Sequence, residues 1–294
     1  MLKPPSNLLL GPSGTGKTSA LATYAAAGIE TFVTVTEPSG VDSLVDAAQR
    51  LGISLDLIHW TTVPPMPPDL DVFEDTIRVI ANMGYEQISN IKTGVGKDKT
   101  REPADKLLES LRDFKCERTG QSYGSPFEWD DTRAYALDSL TGLNTIAMDL
   151  TIGFKPSAHQ GEWGVAMNFE EKIILKLCAD LWCHFTLTAH VDKEVNEITG
   201  AKQVMAAALG RKLAPRIARY FNEIIYCVKD KKSFTWSTIE DGVDLKNRAL
   251  PLEAGLDPDF GQIVEMHTRR KEVAAGGKPK VLAIENSQTK PKRR

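Results

Sequence analysis

Cysteine is scarce in this chain, and no apolar run is long enough to span a bilayer. The four cysteines, Cys116, Cys178, Cys183 and Cys227, lack the spacing of metal ligands, which indicates reduced thiols rather than a zinc site. Residues 1–5 lack the apolar stretch of a signal peptide. These absences argue against a disulfide scaffold and a helical membrane protein, and they predict a cytoplasmic location with no membrane partner.

An excess of either charge is also missing. The 294 residues carry 36 basic and 39 acidic side chains, a formal net charge of −3. This balance neither indicates nor excludes nucleic acid, so any DNA site must be a local patch. Apolar residues make up 41% of the chain, which is enough for the core of one large α/β domain or two small ones.

A glycine-rich octapeptide near the N-terminus carries the strongest functional signal. Residues 11–18, GPSGTGKT, fit the phosphate-binding P-loop pattern G-x-x-x-x-G-K-[ST]. Glycines let backbone N–H groups approach phosphate oxygens, Lys17 can reach the β- and γ-phosphates, and the Thr18 hydroxyl can bind Mg²⁺. The predicted ATP contacts are Gly11, Pro12, Ser13, Gly14, Thr15, Gly16, Lys17, Thr18 and Ser19.

The segments on either side of this loop have the order that phosphate binding requires. Residues 6–10 are typical of a buried strand, and residues 19–27 are typical of a helix that stops at Gly28. This order aims the positive end of a helix dipole at the phosphate. Strands and helices continue to alternate afterwards, which predicts an α/β fold with a central, mostly parallel sheet flanked by helices.

A P-loop enzyme also needs an acid at the end of a neighbouring strand, where it holds Mg²⁺. Asp138 lies in the apolar run 134–140 and ends its strand. We predict that Asp138 and Thr18 form the metal site, although an aspartate in this position can also simply cap a helix. The alternative acid is Asp131, which lies before the apolar run.

Four further residues are candidates for catalysis. Glu37 ends the strand after the P-loop helix, at the sheet edge where α/β sites form, and is the predicted base that orients water. His190 follows strand 183–189 and can sense the γ-phosphate, although a lone histidine is more often structural. Lys246 and Arg248 point the same way on an extended segment and can reach a phosphate on an adjacent subunit. The alternative for Glu37, Lys246 and Arg248 is a solvated turn.

Together these residues resemble the RecA/RadA core of ATPases, and in particular the core-only RecA-like phage proteins of the Sak single-strand-annealing type. The resemblance covers roughly residues 5–270. Its motifs are GPSGTGKT, VTVTEPSG around Glu37, YALDSLTGL around Asp138, FTLTAHV before His190, LAPRIARYFNEIIYCV, and LKNRALP around Lys246 and Arg248.

The resemblance implies a RecA-like P-loop NTPase core that binds ATP and Mg²⁺ and hydrolyses ATP. Glu37 resembles the water-activating base, Asp138 the magnesium acid, and His190 the sensor, where RecA itself has glutamine. Lys246 and Arg248 resemble cations that act in trans, which implies a homo-oligomer, either a ring or a filament. The implied role is binding of single-stranded DNA for annealing or recombination in phage replication, inside a bacterial cell. A single-strand-binding protein is a further candidate partner.

The resemblance also implies that the loops 153–164 and 192–212 face DNA. An exposed aromatic ring beside cations can stack on unpaired bases, although Trp163 can equally well pack under its loop. The candidate residues are Phe154, Lys155, His159, Trp163, Lys193, Lys202, Arg211 and Lys212.

Three other regions complete the interpretation. Residues 1–270 are expected to form the core, with residues 84–133 as a partly helical insertion and residues 263–266 as a late strand. Residues 271–294 form a basic tail that is either solvated or binds DNA.

Two other functions would share every motif: a DNA motor or remodelling ATPase, such as a helicase or packaging accessory, and a nucleotide-gated scaffold that does not hydrolyse.

Overall fold

The computed structural model of this protein describes residues 2–82, 84, 97–153, 155, 157–195, 202–210, 212–231 and 233–277. The strands are β1 (Ser6–Leu10), β2 (Glu30–Val35), β3 (Ile58–Thr62), β4 (Arg133–Asp138), β5 (His184–Ala189), β6 (Val191–Val195), β7 (Lys202–Ala206), β8 (Glu223–Lys229), β9 (Phe234–Ser237) and β10 (Ala254–Leu256). The α-helices are α1 (Lys17–Leu21), α2 (Thr23–Ala26), α3 (Gly40–Leu51), α4 (Leu70–Asn82), α5 (Lys97–Arg112), α6 (Leu140–Ile152), α7 (Gln160–Asp180), α8 (Ala214–Ala218) and α9 (Gly261–Ala274).

Within the described residues, eight strands form one sheet in the order β10-β9-β8-β1-β5-β4-β2-β3. The pairings from β8 through β3 are all parallel, and only β9 and β10 are added antiparallel. The predicted mostly parallel sheet flanked by helices is therefore confirmed. β5 lies between β1 and β4, so the carboxyl ends of β1, β5, β4 and β2 meet along one edge.

Alternate residues along the strands face two separate apolar cores, as the pleat of a strand requires. On one face, Leu8 and Phe32 belong to the core that helices α5 to α8 cover. On the other face, Leu9 and Val33 belong to the core under α1, α2, α3 and α9. Burial on both faces explains why these strands are nearly continuous apolar runs in the sequence.

The region predicted as an insertion contributes to the first of these cores. Leu107 and Leu111 of α5, together with Phe114 and Trp129, are buried against Phe32 and its neighbours. The helical part of this insertion is α5, which spans Lys97–Arg112. Residues 85–96, which belong to the same insertion, lie outside the described residues.

Four local predictions are corrected. The helix predicted over 19–27 is two short helices that meet at Ala22. The loop predicted over 153–164 already turns into α7 at Gln160, and the loop predicted over 192–212 contains the hairpin β6–β7. The strand predicted over 263–266 is part of α9, because its apolar residues Ile263, Val264 and Met266 cover one face of the second core.

The C-terminal helix extends past the predicted start of the tail and ends at Ala274. The tail residues 278–294 lie outside the described part of the chain. No helix among the described residues is long and apolar enough to cross a membrane.

Candidate active site at the P-loop

The P-loop follows β1 directly, and its glycines are needed for two different reasons. Gly14 and Gly16 adopt φ values of 72° and 83°, which favour glycine. A Cβ on Gly11 would lie 2.8 Å from the carbonyl oxygen of Cys227, so β8 leaves no room for a side chain there. The sequence pattern therefore encodes a backbone that turns tightly beside a neighbouring strand.

Lys17 is buried at the base of this loop. Its ammonium donates hydrogen bonds to the carbonyl oxygens of Gly11, at 2.7 Å, and Pro12, at 2.9 Å. Burial lowers the pKa of Lys17, while the nearby carboxylates Asp138 and Glu37 oppose that shift. The cation is thus held inside the loop, close to where the sequence predicts phosphate oxygens.

Asp138 lies beside Thr18, as the metal-site prediction requires. The Thr18 hydroxyl donates to Oδ2 of Asp138 at 2.8 Å, and the Thr188 hydroxyl donates to Oδ1. Burial raises the pKa of the Asp138 carboxyl, and the two hydroxyl donors act in the opposite direction. A nearly inaccessible carboxylate is therefore held at the mouth of the P-loop by its place at the end of β4, between β5 and β2.

The alternative acid, Asp131, lies at the opposite end of β4. There it accepts hydrogen bonds from His267, at 3.2 Å, and from Lys271 of α9. This ion pair fixes the C-terminal helix to the sheet and is remote from the P-loop. Of the two predicted acids, only Asp138 reaches the candidate site.

Glu37 follows the end of β2 and lies beside the same cleft. Its Oε1 accepts hydrogen bonds from the Ser139 hydroxyl and lies 3.2 Å from Nε2 of His190. Within the described residues, Oε2 has no hydrogen-bond partner in the protein. The side chain of Glu37 is 38% exposed, so one carboxylate oxygen remains open to the cleft.

The segment that follows β2 packs closely against α6 because residue 142 is a glycine. A Cβ on Gly142 would lie 2.1 Å from Oγ1 of Thr36. The Thr36 hydroxyl in turn donates to the carbonyl of Ser139 at 3.0 Å and accepts from its N–H at 2.8 Å. This close contact fixes Glu37 and Ser139 relative to each other.

These groups line one cleft with a volume of about 290 Å³. Its walls include the predicted residues 13–19, Glu37, Asp138 and His190. They also include residues that the sequence analysis missed, namely Ser39, Gly40, Ser43, Arg50, Ser139 and Phe234. Thr188, which donates to Asp138, is two residues before His190, so the strand period could have indicated it, while Ser139 follows Asp138 directly at the same strand end. Arg50 and Phe234 belong to no motif, and only the tertiary fold brings them to the cleft.

The donor set of the cleft fits a hard cation that is shared with phosphate. Asp138 and Thr18 supply oxygen atoms, which Mg²⁺ prefers, and Mg²⁺ normally keeps waters and substrate oxygens as its other ligands. No group of three or more His, Cys, Asp or Glu side chains that could hold a metal occurs within the described residues. A site with so few protein ligands suits a metal that arrives with a nucleotide.

Lys246 and Arg248 do not line the cleft of their own chain. Lys246 pairs with Ile224 of β8 and donates a hydrogen bond from its ammonium to the carbonyl of Phe221 at 2.6 Å. The Arg248 side chain is exposed, while its N–H donates to the buried carboxylate of Glu223. The fold therefore places both cations away from the P-loop of their own chain.

The predicted DNA-facing residues divide into three groups. Lys155 is buried and paired with Glu162 at 2.9 Å, so its charge is already neutralised. His159 and Trp163 lie at the start of α7, where Trp163 is 39% exposed, and Lys193 and Lys212 are exposed. Phe154 and Arg211 lie outside the described residues, as does the side chain of Lys202.

No protein-family model and no curated protein matches this chain.

Proposed function

We propose that this protein is a Mg²⁺-dependent ATPase with a RecA-like P-loop core. The observation that carries the proposal is the 2.8 Å hydrogen bond between the Thr18 hydroxyl and Asp138, formed across 120 residues of sequence. A hydroxyl and a carboxylate that face each other at the mouth of a P-loop are the protein groups that phosphoryl transfer uses to hold the metal. Mg²⁺, when bound, neutralises charge on the β- and γ-phosphate oxygens.

The protein side chains have distinct tasks in hydrolysis. The P-loop N–H groups and Lys17 bind and orient the phosphates. Glu37 orients the attacking water through its open Oε2 and takes up a proton from it. Ser139 and His190 hold the other oxygen of Glu37 in place, so His190 can respond to the position of Glu37 and pass that response to β6, which begins at the next residue.

The placement of Lys246 and Arg248 supports assembly into an oligomer. Both cations lie outside the cleft of their own chain, and Glu223 holds the backbone of the segment that carries them through the N–H groups of Arg248 and Ala249. Arginine and lysine stabilise charge on a transferring phosphoryl group. We infer that they act on the P-loop of an adjacent copy in a ring or a filament.

The surface around the hairpin β6–β7 supports binding of single-stranded DNA. The hairpin starts directly after His190, and its far end returns to α7, where a Cβ on Gly210 would lie 3.0 Å from the sulfur of Met167. Trp163 lies one helical turn before Met167, so it shares that side of α7. The exposed Trp163 is suited to stack on unpaired bases, and the exposed Lys193 and Lys212 are suited to contact phosphates.

The proposal is tested by the steady-state rate of ATP hydrolysis with and without single-stranded DNA, together with a gel shift at low salt. Low salt is needed because phosphate contacts weaken steeply as salt rises. We expect Mg²⁺-dependent turnover that DNA stimulates, and Lys17→Ala should lower it by at least about 100-fold. Absence of both stimulation and binding would reject the DNA role alone, and directional translocation would favour a motor.

A further inference from the structure

The nucleotide cleft continues into a second cavity that no motif indicated. This cavity has a volume of about 190 Å³ and shares Gly16, Ser19, Arg50 and Phe234 with the P-loop cleft. Its other walls are mainly apolar: Ala20, Thr23, Ala47, Leu51 and Pro258. A continuous apolar extension of a phosphate-binding cleft is the right kind of space for the base of a nucleotide.

The aromatic wall is Phe234, at the start of β9. Its ring lies against the P-loop, because a Cβ on Gly16 would lie 3.2 Å from Cγ of Phe234. The ammonium of Lys229 is 5.6 Å from the ring centroid, and the ring is only half-buried. Phe234 therefore offers aromatic surface to the cavity at the point where the two cavities meet.

The polar groups of the second cavity are already paired. The Thr23 hydroxyl donates to the carbonyl of Ala20 at 2.7 Å and accepts from the N–H of Phe260 at 2.8 Å. The Ser19 hydroxyl accepts from Arg50 at 3.3 Å. The Ser19 hydroxyl and the exposed guanidinium of Arg50 have further donors, and every nucleobase carries ring or carbonyl acceptors that such donors can meet. The walls therefore hold a base by stacking and apolar contact without reading its edge.

We propose that this second cavity is a nucleobase subsite, built on Phe234 and Arg50, that accepts purine and pyrimidine nucleoside triphosphates with little discrimination. The proposal rests on the proposed nucleotide site at the P-loop. It assigns Phe234 the role of a stacking surface and predicts that the protein uses GTP, CTP and UTP nearly as well as ATP. Discrimination requires a fixed group that pairs with one base edge and is left unpaired by the others, and none of the wall residues supplies one.

The test measures equilibrium binding of Mg-ATP, Mg-GTP, Mg-UTP and inorganic tripolyphosphate to the full chain. We expect the three nucleotides to bind within about tenfold of one another. Phe234→Ala should weaken all three by roughly tenfold and leave tripolyphosphate binding unchanged, since the lost contact involves only the base. Phe234→Leu, which keeps an apolar side chain, should show a smaller loss. Phe73→Ala is the matched control, because Phe73 is a half-exposed phenylalanine that lies outside both cavities.

Two results would overturn the subsite. One is unchanged ATP binding by Phe234→Ala, and the other is a preference of wild-type protein for one base by more than about 100-fold. A wild-type protein that binds neither nucleotide nor tripolyphosphate would instead reject the proposed P-loop function itself, and the subsite with it. Retained tripolyphosphate binding in each variant shows that the P-loop is still folded.

Discussion

At the scale of single residues, the position of Asp138 suits metal binding but lowers the stability of the fold. The carboxyl is buried between two hydroxyl donors, and burial raises its pKa. The native state therefore binds more protons than the unfolded chain at pH values between the ordinary pKa and the raised one. In that window this group makes the free energy of unfolding fall as pH rises.

Replacing this carboxylate should separate stability from activity. We expect Asp138→Asn to unfold at higher temperature than wild type at pH 7 in the absence of Mg²⁺, because the uncharged amide loses less on burial. The same variant should lose Mg²⁺-dependent ATP turnover by at least about 100-fold. Thermal melts and turnover assays on the same preparation check both effects. A variant that is less stable and fully active would contradict this account of Asp138.

Gly142 is a second residue whose role can be tested alone. An alanine there would place a methyl group against Thr36 and force α6 away from the end of β2. We expect Gly142→Ala to lower the free energy of unfolding by about 1–3 kcal/mol, as overpacking does, and to reduce turnover by moving Ser139 away from Glu37. Gly161→Ala on α7 is the control, since a Cβ there meets open space. Equal denaturation midpoints for both variants would rule out the proposed contact.

Some residues of the site could be predicted from the sequence and others could not. Lys17, Thr18 and Asp138 were predictable because a short motif and a strand end specify them locally. Arg50 and Phe234 were not, because they come from the last turn of α3 and from a late hairpin that only the completed sheet brings to the P-loop. Lys155 was predicted to face DNA, but its charge is neutralised by Glu162, which lies in the first turn of α7.

At the scale of elements, a buried carboxyl joins α7 to the segment that follows β7. Glu170 accepts a hydrogen bond from the N–H of Leu209 at 3.3 Å, while its other oxygen has no partner among the residues that the structure describes. Burial raises the pKa of Glu170 to about 8 from an ordinary value of 4.5. The side chain is thus neutral at pH 7 and becomes charged in mildly alkaline solution.

This carboxyl predicts a loss of stability at alkaline pH. Between pH 4.5 and about 8 the native state binds more protons at Glu170 than the unfolded chain, so the free energy of unfolding falls as pH rises through this range. Glu170→Gln should remove this slope and be more stable than wild type at pH 9, by on the order of 2 kcal/mol. Urea denaturation at pH 6 and pH 9 measures it, with the exposed Glu265→Gln as control. Parallel slopes for Glu170→Gln and wild type would disprove the assignment.

The elements themselves were predicted better than their boundaries. The buried parallel strands were predicted well because burial on both faces leaves an unbroken apolar run in the sequence. The hairpin β6–β7 was missed because it lies outside the eight-stranded sheet and its strands are rich in polar residues. The strand predicted over 263–266 failed because a short apolar run does not by itself distinguish a strand from one face of a helix.

At the scale of the whole molecule, the separation of Lys246 and Arg248 from the cleft predicts complementation between subunits. Lys17→Ala and Arg248→Ala should each be inactive alone. When the two variants are mixed in equal amounts, about a quarter of the interfaces should pair an intact P-loop with an intact Arg248 and recover turnover. Mixing Lys17→Ala with Lys17→Ala, Arg248→Ala is the control that should stay inactive. No recovery in the first mixture, with subunit exchange verified, would indicate that Arg248 does not act in trans.

We propose that the cleft hydrolyses ATP with Glu37 as the group that orients water, and the Glu37→Gln variant is the decisive experiment for this proposal. The measurement is Mg-ATP binding and single-turnover hydrolysis in wild type and in this variant. The account predicts that both proteins bind Mg-ATP with similar affinity and that the variant hydrolyses it at least about 100-fold more slowly. Hydrolysis by Glu37→Gln at the wild-type rate, or wild-type protein that binds ATP and leaves it intact, would contradict the claim.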